Sequence, residues 1–328
     1  MKRLIFVVAM LMMIGYPAFA MNSVELAKYA SDRTVRIESQ SGAGSGCLVS
    51  SDGLIITNFH VAGDKKDLFV ILDDGRVKKA EVLVKGDHNA DVALLKIDVT
   101  NLPYFNYGDS DTLVRGQEVM AIGFPYSLGK FTTFGHITGI NVMEGKSYSN
   151  AFYIMTDAAI NPGNSGGGLV NFDGALMGIN TAVYQGNNIA FSLPINDVRR
   201  WIEQIKKDKK ATFVMLGLTL GRIGIGDNEN LEVPDNMVGV VVEKVEKGSP
   251  AAKAGIKRDD IILDIGGTKA TDPVAIRAYI YHKSPGDIVH MAIYRDGKYL
   301  IKDVKLTAAG KDKPESEESK EETPEGEK

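Results

Sequence analysis

Between residues 31 and 200 the chain alternates short apolar or alternating runs with turn signals, as at 46–49, 54–57, 68–72, 80–84 and 92–97. Many short strands with few helical periods predict closed or sandwiched β structure. One helix stands out after Asn196, which is expected to cap it. Val198, Trp201, Ile202 and Ile205 recur there at spacings of three and four, the period of a helix that buries one face. The run Lys206-Lys207-Asp208-Lys209-Lys210 closes it, placing positive charge at the negative end of the helix dipole. A domain boundary is expected there. Beyond it, strand-like runs at 238–242, 261–265 and 288–294 surround a predicted helix over 273–282, the makings of a smaller α+β unit.

Composition places the chain among ordinary globular proteins. Its 328 residues are 44% hydrophobic and 24% charged, enough for two domains. The formal net charge is -4, and residues 311–328 alone hold eight acids and four lysines. The rest is therefore near neutral, which excludes the clustered basic footprint of a nucleic-acid binder. That tail has no large apolar residue and is expected to be disordered over 308–328. At the other end, Met1-Lys2-Arg3 precedes an uncharged apolar run over 4–15 and then Tyr16-Pro17-Ala18-Phe19-Ala20. This is the order of a secretory signal, with cleavage expected after Ala20. The alternative is a retained membrane anchor, because the uncharged stretch approaches spanning length. Cys47 is the sole cysteine, so no internal disulfide forms, and its apolar neighbours suggest a buried strand thiol.

The candidate chemistry centres on Asn161-Pro162-Gly163-Asn164-Ser165-Gly166-Gly167-Gly168. Glycines around one serine let a hydroxyl stand clear of a tight turn with backbone N–H groups beside it. Such a serine needs a histidine to take its proton and a carboxylate to hold that histidine. Gly163-Asn164-Ser165-Gly166-Gly167 also fits the G-x-S-x-G nucleophile elbow, but Pro162 interrupts any incoming strand and Gly166-Gly167-Gly168 makes a poor outgoing helix. The upstream candidates are His60, at the end of the apolar run 55–59, and Asp91, before the apolar run 92–95. Their chain order of His, Asp and Ser is that of the chymotrypsin-type arrangement on paired β-barrels. A second glycine-rich run, Gly42-Ala43-Gly44-Ser45-Gly46, lacks the spacing and following helix of a nucleotide-phosphate loop.

Thr57-Asn58-Phe59-His60-Val61, Ala90-Asp91-Val92-Ala93-Leu94-Leu95-Lys96 and residues 156–167 resemble the three catalytic blocks of the HtrA (Deg) serine proteases. Gly248-Ser249-Pro250-Ala251-Ala252-Lys253-Ala254-Gly255-Ile256, followed by Asp260-Ile261-Ile262, resembles a PDZ domain. The resemblance spans roughly residues 23–307. It implies a mainly β protein: a chymotrypsin-like double β-barrel protease domain over 21–207, then an α+β PDZ domain over 212–307. It further implies Ser165 as nucleophile, His60 as general base and acid, Asp91 as its orienting partner, and the N–H groups of Gly163 and Ser165 as the oxyanion hole. No cofactor and no metal are expected.

Trypsin-like enzymes carry an aspartate six positions before the serine, where this chain has Ala159. By similarity the pocket is lined by Ile160, Val183 and Tyr184 and takes small or medium aliphatic side chains of unfolded proteins. In the second unit, Met215-Leu216-Gly217-Leu218 matches the loop that binds C-terminal or apolar peptides, with Leu218, Ile276 and Ile280 as side-chain pocket. The family's usual Gly-Asp is Asp259-Asp260 here, so the turn at Asp259 is left open. The resemblance implies a homotrimer and candidate activation loops over 131–149 and 184–188. The competing reading is a binding or holdase protein whose protease is held off.

Overall fold

The structure, a computed structural model, describes residues 20–125, 129–142, 151–184, 189–223, 234 and 237–309, with only the backbone for 182–184. The secretory segment before Ala20, the tail from 310, and residues 143–149 and 185–188 of the candidate activation loops lie outside the described residues, while 131–142, expected as part of a loop, form a strand. Among the described residues no helix is long and apolar enough to cross a membrane. The chain divides into two compact units, 1–211 and 212–328.

The first unit opens with a helix that the hydrophobic pattern does not announce, α1 (Ser23–Ser31). Local capping makes it. The Asn22 side chain accepts the N–H groups of Val24 and Glu25, and Glu25 accepts that of Asn22, which satisfies donors that a helix start leaves orphaned. Leu26 and Ala30 form its buried stripe.

Seven strands follow: β1 (Thr34–Ser39), β2 (Gly42–Leu48), β3 (Leu54–Thr57), β4 (Phe69–Ile71), β5 (Val77–Lys79), β6 (Glu81–Lys85) and β7 (Ala93–Lys96). They form an antiparallel sheet in the order β5-β4-β1-β2-β3-β7-β6, over a core that includes Val35, Ile37, Leu48, Ile55, Leu95 and Ile97. A short helix, α2 (Phe59–Ala62), interrupts between β3 and β4. The second half contributes β8 (Glu118–Gly123), β9 (Phe131–Val142), β10 (Tyr153–Thr156), β11 (Gly168–Asn171), β12 (Leu176–Tyr184) and β13 (Ile189–Pro194). These close into a barrel, β10-β13-β12-β11-β8-β9, around Val119, Ala121, Ile137, Ile154, Leu169 and Met177. Closure removes the free edges that would otherwise invite pairing with another chain.

Helix α3 (Ile195–Asp208) ends the unit and buries Val198, Trp201, Ile202 and Ile205. Its start corrects one expectation. The cap position is Pro194, with no side-chain cap bond, because Asn196 is drawn away: its Nδ2 donates to Asp109 Oδ1 at 2.7 Å and its backbone N–H to Ser110 Oγ at 3.2 Å. A tertiary partner wins over the local cap.

The second unit is a sheet of β15 (Leu218–Arg222), β16 (Val240–Val245), β17 (Ile261–Ile265), β19 (Ile288–Arg295) and β20 (Lys298–Lys305), in that order, with β18 (Thr268–Lys269) on β17. Strands β14 (Val214–Met215) and β21 (Thr307–Ala308) pair separately. Helix α4 (Pro250–Lys253) is capped by Ser249, and α5 (Pro273–Tyr281) by Asp272, each with proline in its first turn, where the missing proline N–H costs nothing. The Asp259-Asp260 departure finds its conformation here: Asp259 sits at φ 67°, the left-handed region. Asp260, fully buried, takes both forks of the Arg295 guanidinium and the Lys257 N–H at 2.8 Å, while Arg295 Nη2 also reaches the Gly255 carbonyl at 2.8 Å.

Candidate active site

Strand β3 ends at Thr57, and the chain turns through Asn58 into α2, so His60 lies on a helical turn rather than at a strand end. Phe59, Val61 and Ala62 are buried beneath it, leaving the imidazole 44% exposed. Asp91 is held on the other side of β3, before β7, by the buried Ala90 and Val92 and by Asp87, whose carboxylate accepts the N–H groups of Asn89 and Ala90. Asn58 Nδ2 also donates to the Asp91 carbonyl at 3.0 Å. The side chains then meet. His60 Nδ1 lies 2.9 Å from Asp91 Oδ2 and 3.1 Å from Oδ1, and the His60 backbone N–H donates to Oδ1 at 3.0 Å.

A third group, not anticipated from sequence, completes the carboxylate's surroundings: Thr181 Oγ1 donates to Asp91 Oδ2 at 2.9 Å. Burial raises the Asp91 pKa, but the hydrogen bonds and charge of His60 and the bond from Thr181 outweigh it and hold the carboxyl below its ordinary value of 3.8. An ionised carboxylate bonded to Nδ1 places the ring's other nitrogen free to accept a proton.

Ser165 occupies a turn built from glycine and asparagine. Asn164 donates to the Asn161 carbonyl and Gly167 to the Asn164 carbonyl, both at 2.9 Å. From β12, Asn180 accepts the Gly166 N–H at 2.8 Å, donates its own N–H to Gly167 at 2.9 Å and its Nδ2 to Gly168 at 3.0 Å. Ser192 Oγ holds the Asn180 side chain at 2.9 Å. The chain leaves directly into β11, so the strand-turn-helix of a nucleophile elbow is absent. The N–H groups of Gly163 and Ser165 have no hydrogen-bond partner among the described residues. Ser165 Oγ donates to the Thr181 carbonyl at 3.2 Å. Thr181 thus touches both the serine and the carboxylate.

Of the expected pocket residues, Ile160 is 6% exposed within the core of the closed barrel, and Ala159 beside it is exposed, its carbonyl accepting Thr133 Oγ1 at 2.8 Å. Val183 and Tyr184 lie on β12, but their side chains fall outside the described residues. In the second unit, Met215 ends β14, Leu216 is buried, Gly217 adopts φ 73°, and Leu218 opens β15, an edge of its sheet. The Gly217 carbonyl accepts the Glu246 N–H and the Leu216 carbonyl that of Ala251. Helix α5 lies against β14 and β15. Ile276 is wholly buried and Ile280 9% exposed, both within that unit's core, with Leu218 half-buried beside them.

A seven-stranded sheet that carries a His-Asp pair and a closed barrel that carries a glycine-turn serine, followed by a capped α+β unit, define a trypsin-like peptidase joined to a PDZ domain. Residues 44–179 match the trypsin-like peptidase domain model and residues 203–306 the PDZ domain model. The chain belongs to the HtrA family of serine proteases. It is 33% identical over 295 residues to the serine protease Do-like HtrA of Lactococcus lactis, covering 83% of this chain and 72% of that one. It is 37% identical over 272 residues to a probable periplasmic serine endoprotease DegP-like of Chlamydia muridarum, covering 80% of this chain and 54% of the relative. The chain thus spans about half the length of such DegP-like relatives. The HtrA-type protease AlgW, solved with a tripeptide, superposes with a TM-score of 0.73 at 29% identity over 87% of this chain and 96% of AlgW. The serine endoprotease from Yersinia pestis gives 0.62 at 31% identity, covering 87% and 97%.

Proposed function

We propose that this protein is a serine endopeptidase. In this reading Ser165 attacks the scissile carbonyl, His60 takes its proton and returns it to the leaving amine, and Asp91 orients the imidazole and balances its charge. The N–H groups of Gly163 and Ser165 stabilise the oxyanion. The observation that carries the reading is the convergence of His60 and Thr181 on the ionised Asp91, beside a serine whose neighbouring backbone donors are uncommitted. Ser165 must rotate from the Thr181 carbonyl to engage His60, an adjustment in keeping with catalytic bonds that tighten only with substrate bound.

Ala159 offers the pocket no charge, so cleavage after small or medium aliphatic side chains of unfolded proteins follows. A methylene in such a pocket discriminates by only about 1–3 kcal/mol, which suits broad protein quality control. The edge strand β15, the Gly217 turn and α5 suit strand addition by a C-terminal or apolar peptide, with Met215, Leu216, Gly217 and Leu218 at its carboxylate end and Leu218, Ile276 and Ile280 around its last side chain. AlgW, a relative of known structure, was captured with short peptides. Relatives described as periplasmic, together with the charged and apolar order of residues 1–20, favour export to the periplasm or beyond. Homotrimeric assembly is proposed on family resemblance.

A fluorophosphonate tests the core of this reading. Labelling of the wild-type chain should increase with a C-terminal peptide ending in an aliphatic residue, and Ser165→Ala should abolish both labelling and cleavage of unfolded casein. Wild-type turnover by Ser165→Ala would refute the assignment. A peptide library cut mainly after Arg or Lys would refute the pocket.

A further inference from the structure

The glycine-rich run Gly42-Ala43-Gly44-Ser45-Gly46 lacks the spacing of a nucleotide-phosphate loop, and its serine lies wholly buried in β2. We propose that Ser45 is a positioning residue that holds the oxyanion turn from behind. The inference deepens the protease reading above and rests on it.

A buried hydroxyl must bond to something; the choice of partners is what distinguishes this one. Ser45 Oγ donates to the Gly163 carbonyl at 2.7 Å and accepts the Phe124 N–H, just beyond β8, at 2.9 Å. The Ser45 N–H donates to the Ser165 carbonyl at 2.8 Å. Its own carbonyl accepts Thr57 Oγ1 at 2.7 Å. Two of these four bonds fall on the two residues whose N–H groups would form the hole, one on each side of Asn164. No other side chain among the described residues reaches the Gly163 carbonyl.

Peptide planarity turns those anchors into control of direction. Fixing the carbonyls of Gly163 and Ser165 fixes the planes 163–164 and 165–166, which bracket the plane that carries the Ser165 N–H. Gly163 stands at φ 105°, where glycine alone moves freely. With its carbonyl released, that residue could swing its N–H away from the site at little cost. The surroundings leave room for no larger arrangement: a Cβ on Gly44 would meet Val61 at 2.7 Å and the Ser165 carbonyl at 3.3 Å, and one on Gly123 would meet Asn164 Cα at 2.8 Å and Ser45 Oγ at 2.9 Å. Small residues in β2 are what let the turn press against the strand. The sequence of bonds from Thr57 to Ser45 to Gly163 also ties the segment that delivers His60 to the segment that delivers Ser165.

The experiment uses the full chain as wild type, Ser45→Ala, Ser45→Cys and Ser165→Ala. Three quantities are measured: kcat and KM on a peptide with an aliphatic residue before the scissile bond, the affinity of a peptide boronic acid, and that of the matching non-covalent peptide amide. The boronate puts a tetrahedral oxygen where the oxyanion would stand. Ser45→Ala leaves every site residue in place but frees the Gly163 carbonyl, so kcat should fall about tenfold to a hundredfold, less than the loss of a donor outright. Boronate affinity should fall by a similar factor, while KM and amide affinity stay within about threefold, the split expected of an interaction made only in the transition state. Ser45→Cys, a weaker donor, should fall between. If Ser45→Ala does not fold, Ser45→Cys must show a lowered kcat with retained KM. Wild-type kcat and boronate affinity in Ser45→Ala, or in Ser45→Cys where it alone folds, would overturn the proposal. So would losses in kcat and amide affinity that track the folded fraction. A wild-type chain that neither cleaves nor takes up fluorophosphonate would instead sink the protease reading itself.

Discussion

Gly166 and Gly75 form a matched pair that isolates how tightly the nucleophile turn is pressed against β2. Both stand at φ 84°, and both belong to the first unit. A Cβ at Gly75 meets nothing within 4 Å, whereas one at Gly166 would sit 2.1 Å from the Ser45 carbonyl oxygen and 2.2 Å from Thr57 Oγ1. Gly75→Ala therefore carries only the left-handed backbone penalty, about 1–2 kcal/mol. Gly166→Ala carries that penalty and must also move a backbone oxygen, or itself, by roughly 1 Å to reach ordinary contact. Either movement breaks bonds already made: the Thr57 hydroxyl on Ser45 if the strand yields, the Gly166 N–H on Asn180 if the turn yields. At about 1 kcal/mol for each bond, and more for a buried group left unpaired, the total reaches about 3–5 kcal/mol. Displacing the serine by about 1 Å should also cost at least a hundredfold in kcat. Guanidinium unfolding gives the stabilities and peptide hydrolysis the rates. The reasoning fails if Gly166→Ala unfolds within about 1 kcal/mol of Gly75→Ala and retains more than about a tenth of wild-type activity.

Two further outcomes follow from single residues. Asp259→Gly should stabilise the chain by about 0.5–1 kcal/mol, since glycine removes the left-handed penalty at φ 67° and the side chain lost makes only an exposed ion pair with Arg258; a lower thermal midpoint would contradict this. Asp91 is held below 3.8, so its ionised form contributes stability at higher pH and loses that contribution as pH falls through its folded value. The stability difference between wild type and Asp91→Asn should thus shrink as pH falls below about 4, and a difference that stays constant from pH 5 down to about 2 would contradict the assignment.

How much of this was legible in the sequence depends on the range of the contacts involved. The strands at 54–57 and 261–265 and the stripe Val198, Trp201, Ile202 and Ile205 follow from local period, and β3, β17 and α3 appear there. The candidate residues His60, Asp91 and Ser165 could be picked out by type and order. Helix α1 went unread although its cap, Asn22 with Glu25, was visible, because its apolar stripe is only two residues wide. Asn196 looked like a cap until Asp109, 87 residues earlier, claimed its side chain. Thr181 carries no local signal, and Ser45 stands out only for its glycine-rich neighbours. Their partners lie 90 and 118 residues away, and neither separation leaves a period to detect.

Cys47 sits under the same turn, with its thiol 3.7 Å from the Gly166 carbonyl and burial pushing its pKa far up. A protonated, inaccessible thiol reacts slowly with maleimides and disulfides. The native chain therefore behaves as cysteine-free toward such reagents, and a cysteine introduced on either unit could carry a fluorophore without first removing the natural one. The slow residual reaction of Cys47 has its own use: its rate would time how often β2 and the serine turn part company, a clock built in at the place where motion matters most.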